Sequence, residues 1–152
     1  MQAQASARPP DFELEALDGQ SLRLSTVLGS HVVLLEFWAT YCEPCLTSMP
    51  HLQDLYQRYQ KDGLLIWGIS IDGPESVAQV RAEVAKLGLT FPIGLDDESR
   101  VVSLYNPKTT APFSVLIGRD GQVLSRYEGY SEAAAAKLDA QLAQVLRASQ
   151  AP

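Results

Sequence analysis

Val32-Val33-Leu34-Leu35-Glu36-Phe37-Trp38, running on through Ala39-Thr40-Tyr41 into Cys42-Glu43-Pro44-Cys45, is the stretch on which the reading of this chain turns. Its first part is apolar on both faces apart from Glu36, the pattern of a central strand covered by helices on either side. The strand delivers the chain's two cysteines to the start of a helix, where Leu46, Met49, Leu52, Leu55 and Tyr59 recur at helical spacing. Two thiols separated by two residues can close an intramolecular disulfide, and a thiol at a helix N-terminus has its thiolate stabilised by the helix dipole. The spacing therefore reads as thiol-disulfide exchange or as half of a metal site. Tetrahedral zinc needs four ligands, and beyond the two cysteines there are only His31 and His51, so redox chemistry without metal or cofactor is the stronger reading. A copper carrier using both thiolates is the binding-module alternative, and it lacks a further selective ligand.

Outward from this stretch, Pro50 should kink the cysteine helix near its first turns and Asp62-Gly63 should end it. Upstream, Pro9 to Gln20 alternates apolar and acidic residues up to an Asp18-Gly19 turn, and with Leu22 and Leu24 beyond it predicts a short hairpin. Downstream, Leu64 to Ile71 reads as a second buried strand. A helix from about Pro74, with Val77, Val80, Val84 and Leu87 on one face, should stop at Gly88. After Phe91-Pro92-Ile93 and the pair Asp96-Asp97, a short helix is expected over Ser99 to Tyr105, then a loop holding Pro107 and Pro112. Phe113 to Ile117 and Gln122 to Tyr127 flank Arg119-Asp120-Gly121 as a hairpin, and an Ala-rich helix from Ser131 to about Ala148 closes the chain. This alternation predicts an α/β fold, a three-layer sandwich around a mixed sheet.

The 152 residues, 46% of them hydrophobic, suit one domain, placed at 9–150 after a tail at 1–8. A net charge of −6 with scattered basic residues argues against nucleic acid as a partner. No apolar run reaches the roughly 18 residues needed to cross a bilayer, and Met1 to Ala7 lacks the form of a signal peptide. That small, polar segment is expected to be a disordered tail or the remnant of a trimmed export signal or anchor.

Among individual residues, Cys42 is the expected nucleophile and Cys45 the resolving thiol. Glu36, alone in an apolar strand, should have a raised pKa and could exchange a proton with Cys45; the alternative is a structural acid. Glu43 places a negative charge beside Cys42, which favours a reductant, or else it is a solvated first-turn acid. Pro44 suits the helix start. Trp38 and Tyr41 are expected around the disulfide as an apolar contact surface, with core packing an equal account of Trp38. His31 and His51 read as surface residues without a convincing partner.

The chain resembles the thioredoxin-like superfamily, and more narrowly the extracytoplasmic TlpA/ResA-like thiol-disulfide oxidoreductases. Pro10-Asp11-Phe12 with Asp18-Gly19, Phe37-Trp38-Ala39-Thr40 leading into CxPC, the extra strand and helix between Gly63 and Asp96, and Ala111-Pro112 before Phe113 carry the resemblance, with Gly121 and Gly129 in the closing hairpin. It implies a thioredoxin fold with an N-terminal hairpin extension and a β-α insertion. It also implies a cis-proline at Pro112, whose neighbour Ala111 would present backbone to a substrate peptide. The implied activity is reduction of disulfides in exported proteins, for example in cytochrome c maturation, by an extracytoplasmic monomer that draws electrons from a membrane-bound thiol partner. Two positions depart from the family: Tyr41 replaces the usual Trp before the first cysteine, and Ser48 replaces a frequent Glu. Glu36, six residues before Cys42, matches the buried aspartate of thioredoxin instead. A peroxiredoxin is the alternative enzyme, but the Thr or Ser and the Pro it needs upstream of the cysteine are here Ala39 and Leu35.

Overall fold

The computed structural model describes residues 8–149. The tail expected before them lies, up to residue 7, outside the described residues. Strands β1 (Glu13–Glu15) and β2 (Ser21–Arg23) form the predicted hairpin, with Leu14 opposite Leu22 and both side chains buried. The turn is made as the Asp-Gly signal requires. Gly19 takes φ +88°, open to a residue without Cβ, and the Asp18 carboxylate accepts the Gln20 amide at 3.0 Å.

The main sheet has five strands: β3 (Val32–Trp38), β4 (Leu64–Ser70), β5 (Ile93–Leu95), β6 (Phe113–Ile117) and β7 (Val123–Glu128), in the order β5-β4-β3-β6-β7. β3 runs parallel to β4 and antiparallel to β6, so the sheet is mixed and β3 is its centre. All seven residues of β3 are buried, the outcome its two-sided apolar pattern demanded. Alternation along β3 sends Glu36 and Phe37 to opposite faces. Phe37 meets Phe113 and Tyr105, the latter on α3 (Arg100–Tyr105), while Glu36 faces residues of α1 (Glu43–Tyr59) and α4 (Glu132–Ser149). Helices therefore cover both faces, giving the three layers, and the hairpin adds to the Phe37 side through Phe12, which stacks edge-on against Trp67 and Tyr105.

At two helix starts the structure adds detail to the sequence reading. The segment from Pro74 opens as a 3-10 turn over Pro74–Ser76 before α2 (Val77–Leu87) begins. Of α2's expected apolar face only Val80 is fully buried, with Val77, Val84 and Leu87 half-exposed. Helix α3 starts at Arg100 because Ser99 sits in the left-handed region, φ 56°. Asp96 supplies the cap from further upstream, its carboxylate accepting the amides of Val101 at 3.0 Å and Val102 at 2.8 Å. Gly88, φ +66°, stops α2 as expected. Pro50 lies inside α1 and removes one helical donor, yet the helix continues to Tyr59.

Candidate active site

Cys42 is the N-cap of α1 and has extended backbone angles, with Glu43 and Pro44 forming the first helical positions. Its Sγ accepts the Cys45 amide at 3.2 Å, so the sulfur occupies the place a capping oxygen would take and sits where the helix dipole is positive. The two sulfurs are joined as a disulfide, with Cα atoms 5.3 Å apart. Cys42 retains 9% exposure and Cys45 none, an asymmetry that lets an incoming sulfur reach the first and not the second. Around them Tyr41 is 76% exposed, and Glu43 and Pro44 are also exposed. Trp38 is fully buried in the core, so of the two aromatic residues expected at the contact surface Tyr41 alone offers its ring to solvent.

The Ala111–Pro112 peptide is cis. β6 begins at the next residue, and Phe113 pairs with Phe37, so Pro112 lies level with Trp38 at the end of β3 that leads to the cysteines. Ala111 is half-buried and Pro112 buried.

Glu36 lies behind the pair on β3, 2% exposed, opposite Ser114 of β6. The Ser114 hydroxyl donates to its Oε1. Burial pushes the Glu36 carboxyl up to about 8, against the opposing pull of the Ser114 hydrogen bond. The same carboxyl lines a cavity of about 30 Å³ with Ser48, His51, Leu52, Ser114, Tyr127 and residues of α4. His51 is therefore not the unpartnered surface residue that the sequence suggested. Its Nε2 lies 2.7 Å from Asp139 Oδ1 on α4, an ion pair when the ring is protonated. His31 pairs with the neighbouring Ser30 hydroxyl and takes no part in the site. Ser48 donates to the Cys45 carbonyl at 3.0 Å and ties the first turn of α1 together.

The sequence reading missed Asp72, which is 4% exposed just beyond β4. Its carboxylate accepts the Thr40 amide at 3.0 Å, the Thr40 hydroxyl at 2.6 Å and the Ser70 hydroxyl at 2.8 Å. Thr40 belongs to the loop between β3 and Cys42, so Asp72 fixes the chain that leads into the disulfide. A polar Ser-x-Asp at the C-terminal end of an apolar parallel strand was the available signal, because that end of an open α/β sheet is where sites collect. Among the described residues no group of three or more His, Cys, Asp or Glu is placed to hold a metal ion.

Comparison with known proteins places this geometry. A model of the AhpC/TSA family matches residues 6–126. The chain belongs to the AhpC/TSA family, and its fold is thioredoxin-like. Over 127 residues it is 35% identical to the thiol-disulfide oxidoreductase ResA of Halalkalibacterium halodurans, covering 84% of this chain and 70% of that one. ResA of Geobacillus kaustophilus is 39% identical over 114 residues, covering 75% and 63%. The chain thus spans about two thirds of the length of these relatives. Among solved structures, a Chlorobium tepidum chain assigned as the thiol:disulfide interchange protein DsbE superposes with a TM-score of 0.84 at 30% identity, covering 93% of this chain and 96% of that one. A chain from Bacteroides thetaiotaomicron assigned as a protein disulfide isomerase gives 0.85 at 29% identity, with coverage of 93% and 89%. With its CxxC disulfide at a helix N-terminus, this member of the family is a thiol-disulfide oxidoreductase. The peroxidase alternative lacks its hydroxyl: the position three residues before Cys42 is Ala39, buried in the core.

Proposed function

We propose that the protein reduces disulfides in exported proteins through Cys42. The observation that carries this reading is the paired geometry of the sulfurs, Cys42 at the helix N-cap and partly exposed, Cys45 one turn inside and fully buried. The Cys42 thiolate attacks a substrate disulfide and forms a mixed disulfide. Cys45 then loses its proton to Glu36 and attacks Cys42, closing the pair and releasing the second substrate thiolate. The substrate peptide lies against Tyr41, Glu43, Pro44 and the backbone at Ala111–Pro112, with Trp38 packed beneath. Glu43 opposes thiolate formation at Cys42, which favours a donor over an acceptor of electrons. The resemblance to extracytoplasmic relatives supports a location outside the cytoplasm, a membrane-bound thiol donor, a monomeric state, and substrates such as the apoproteins of cytochrome c maturation.

Trapping tests the assignment. Cys45→Ser should accumulate a reducible adduct with a protein substrate, and Cys42→Ser should form none and lose insulin-disulfide reduction. Insulin reduction by the Cys42→Ser variant at the wild-type rate would overturn the role of Cys42. A redox titration of the pair checks direction, because a midpoint near that of thioredoxin, about −270 mV, supports a reductant and one near −120 mV an oxidant.

A further inference from the structure

Closing the Cys42–Cys45 disulfide leaves no thiol to which a proton on Glu36 can return, and Glu36 is 2% exposed. An acceptor so placed needs another way to lose its proton before the next cycle. The cavity beside it has a volume of about 30 Å³, and a water needs about 10–15 Å³ and two to four polar partners. Glu36, Ser48, Ser114, His51 and Tyr127 line the cavity and can supply those partners. Its titratable lining is Glu36 from β3, His51 from α1, Tyr127 from β7 and Tyr130 just beyond, with Asp139 of α4 reached through His51. Tyr127 has its hydroxyl engaged by Gln141. His51 lies between cavity and solvent, its side chain 30% exposed and that of Asp139 41%, and an imidazole has one nitrogen to accept a proton and one to donate it. A carboxylate only accepts, so Asp139 holds the proton of neutral His51 on Nε2 and leaves Nδ1 with a free lone pair.

We propose that this cavity and the His51–Asp139 pair form the proton exit of the site, carrying the proton that Glu36 takes from Cys45 through cavity water to His51 and on to solvent. The inference rests on the reading of Glu36 as acceptor. Cys42-S⁻ attacks the substrate disulfide and expels one thiolate; Cys45-SH gives its proton to the Glu36 carboxylate; Cys45-S⁻ attacks Cys42 Sγ and expels the second thiolate. Above about pH 8, where the oxidised protein no longer keeps Glu36 neutral, the acid then returns to carboxylate as its proton passes to water, to His51 and to bulk. Asp139 is a positioning residue, since it touches His51 and not the reacting atoms.

The test mixes fully reduced protein with the aromatic disulfide DTNB in weak buffer above about pH 8, where the oxidised protein does not retain the Glu36 proton, and follows two signals in stopped flow: absorbance of the released aromatic thiolate, and a pH-indicator dye for protons reaching bulk. In wild type the dye signal should track the second thiolate. In His51→Gln it should lag the second thiolate by about tenfold or more, with added imidazole closing the gap. Asp139→Asn should give a smaller lag. Glu36→Gln should slow the second thiolate itself. If Glu36→Gln slows that step and His51→Gln shows no lag, the exit is overturned and the acceptor role stands. If Glu36→Gln releases the second thiolate at the wild-type rate, the acceptor reading fails and the exit falls with it. A His51→Gln lag that imidazole leaves unchanged, together with altered Cys42 alkylation, would make His51 merely structural and also overturn the exit.

Discussion

Glu36 and Asp72 are both buried acids near the same end of the sheet, one behind the cysteine pair and the other beside the loop that leads into it. They differ in how many donors meet them. Asp72 receives three hydrogen bonds from Thr40 and Ser70, through two hydroxyls and a backbone amide. Glu36 receives the Ser114 hydroxyl alone among the side chains described, and a cavity lies against it. A well-satisfied buried acid is tied to its donors and serves as a bracket. A poorly satisfied one is held closer to its neutral form, which makes it fit to take and release a proton near neutral pH. The difference teaches that burial alone does not characterise an acid; the donors beside it matter as much.

The largest expected effect that would break this contrast is on stability against pH, measured on the oxidised protein so that the cysteines do not titrate. The Glu36 carboxyl is raised from 4.5 to about 8 in the folded state, so between these values the native chain holds a proton that the unfolded chain has released. Its contribution is fully present below 4.5 and is lost as pH rises through about 8. Wild type should therefore lose about 1.4 kcal/mol per pH unit from this group across that window. Glu36→Gln should remove this slope, changing the stability gap between the two proteins by about 3 kcal/mol between pH 5.5 and 7.5 in urea melts. Parallel curves would make Glu36 an ordinary structural acid.

Asp72→Ala should act on the bracket, costing about 2 kcal/mol because it leaves the half-buried Thr40 amide and the buried Ser70 hydroxyl without their acceptor. Hydrogen exchange at the Thr40 amide should accelerate in step. Retained protection there would show that the loop before Cys42 is held by something else. The smallest effect, about 1 kcal/mol, is expected from Ser114→Ala, which deletes the hydrogen bond that pulls the Glu36 pKa down. Its distinguishing sign is direction: the pH window of Glu36 should move further up. A downward move would mean that Ser114 does not favour the charged carboxylate.

Much of the fold could be read from periodicity and punctuation. The two-sided apolar run of β3, the Asp18-Gly19 turn and the stop at Gly88 each depend on residues close in sequence, where strand alternation and backbone freedom act locally. The place of α3 was legible too, but not its cap, since Asp96 stands several residues upstream and Ser99 has left-handed angles that no nearest-neighbour pattern announces. Of the candidate site, the Cys42–Cys45 pair was legible from spacing, and the burial of Glu36 from its isolation among apolar neighbours.

By itself the sequence determined the redox pair, the central strand that presents it and the lone acid in that strand, because each is a matter of residue type at short separation. Tertiary structure alone decided which acids would be satisfied. Ser114 reaches Glu36 across 78 positions of chain, Asp139 reaches His51 across 88, and Asp72 reaches Thr40 across 32. Hydrogen bonds of that span exist only once the sheet order is set, and it is they that make Asp72 a bracket and leave Glu36 with a single donor beside a cavity.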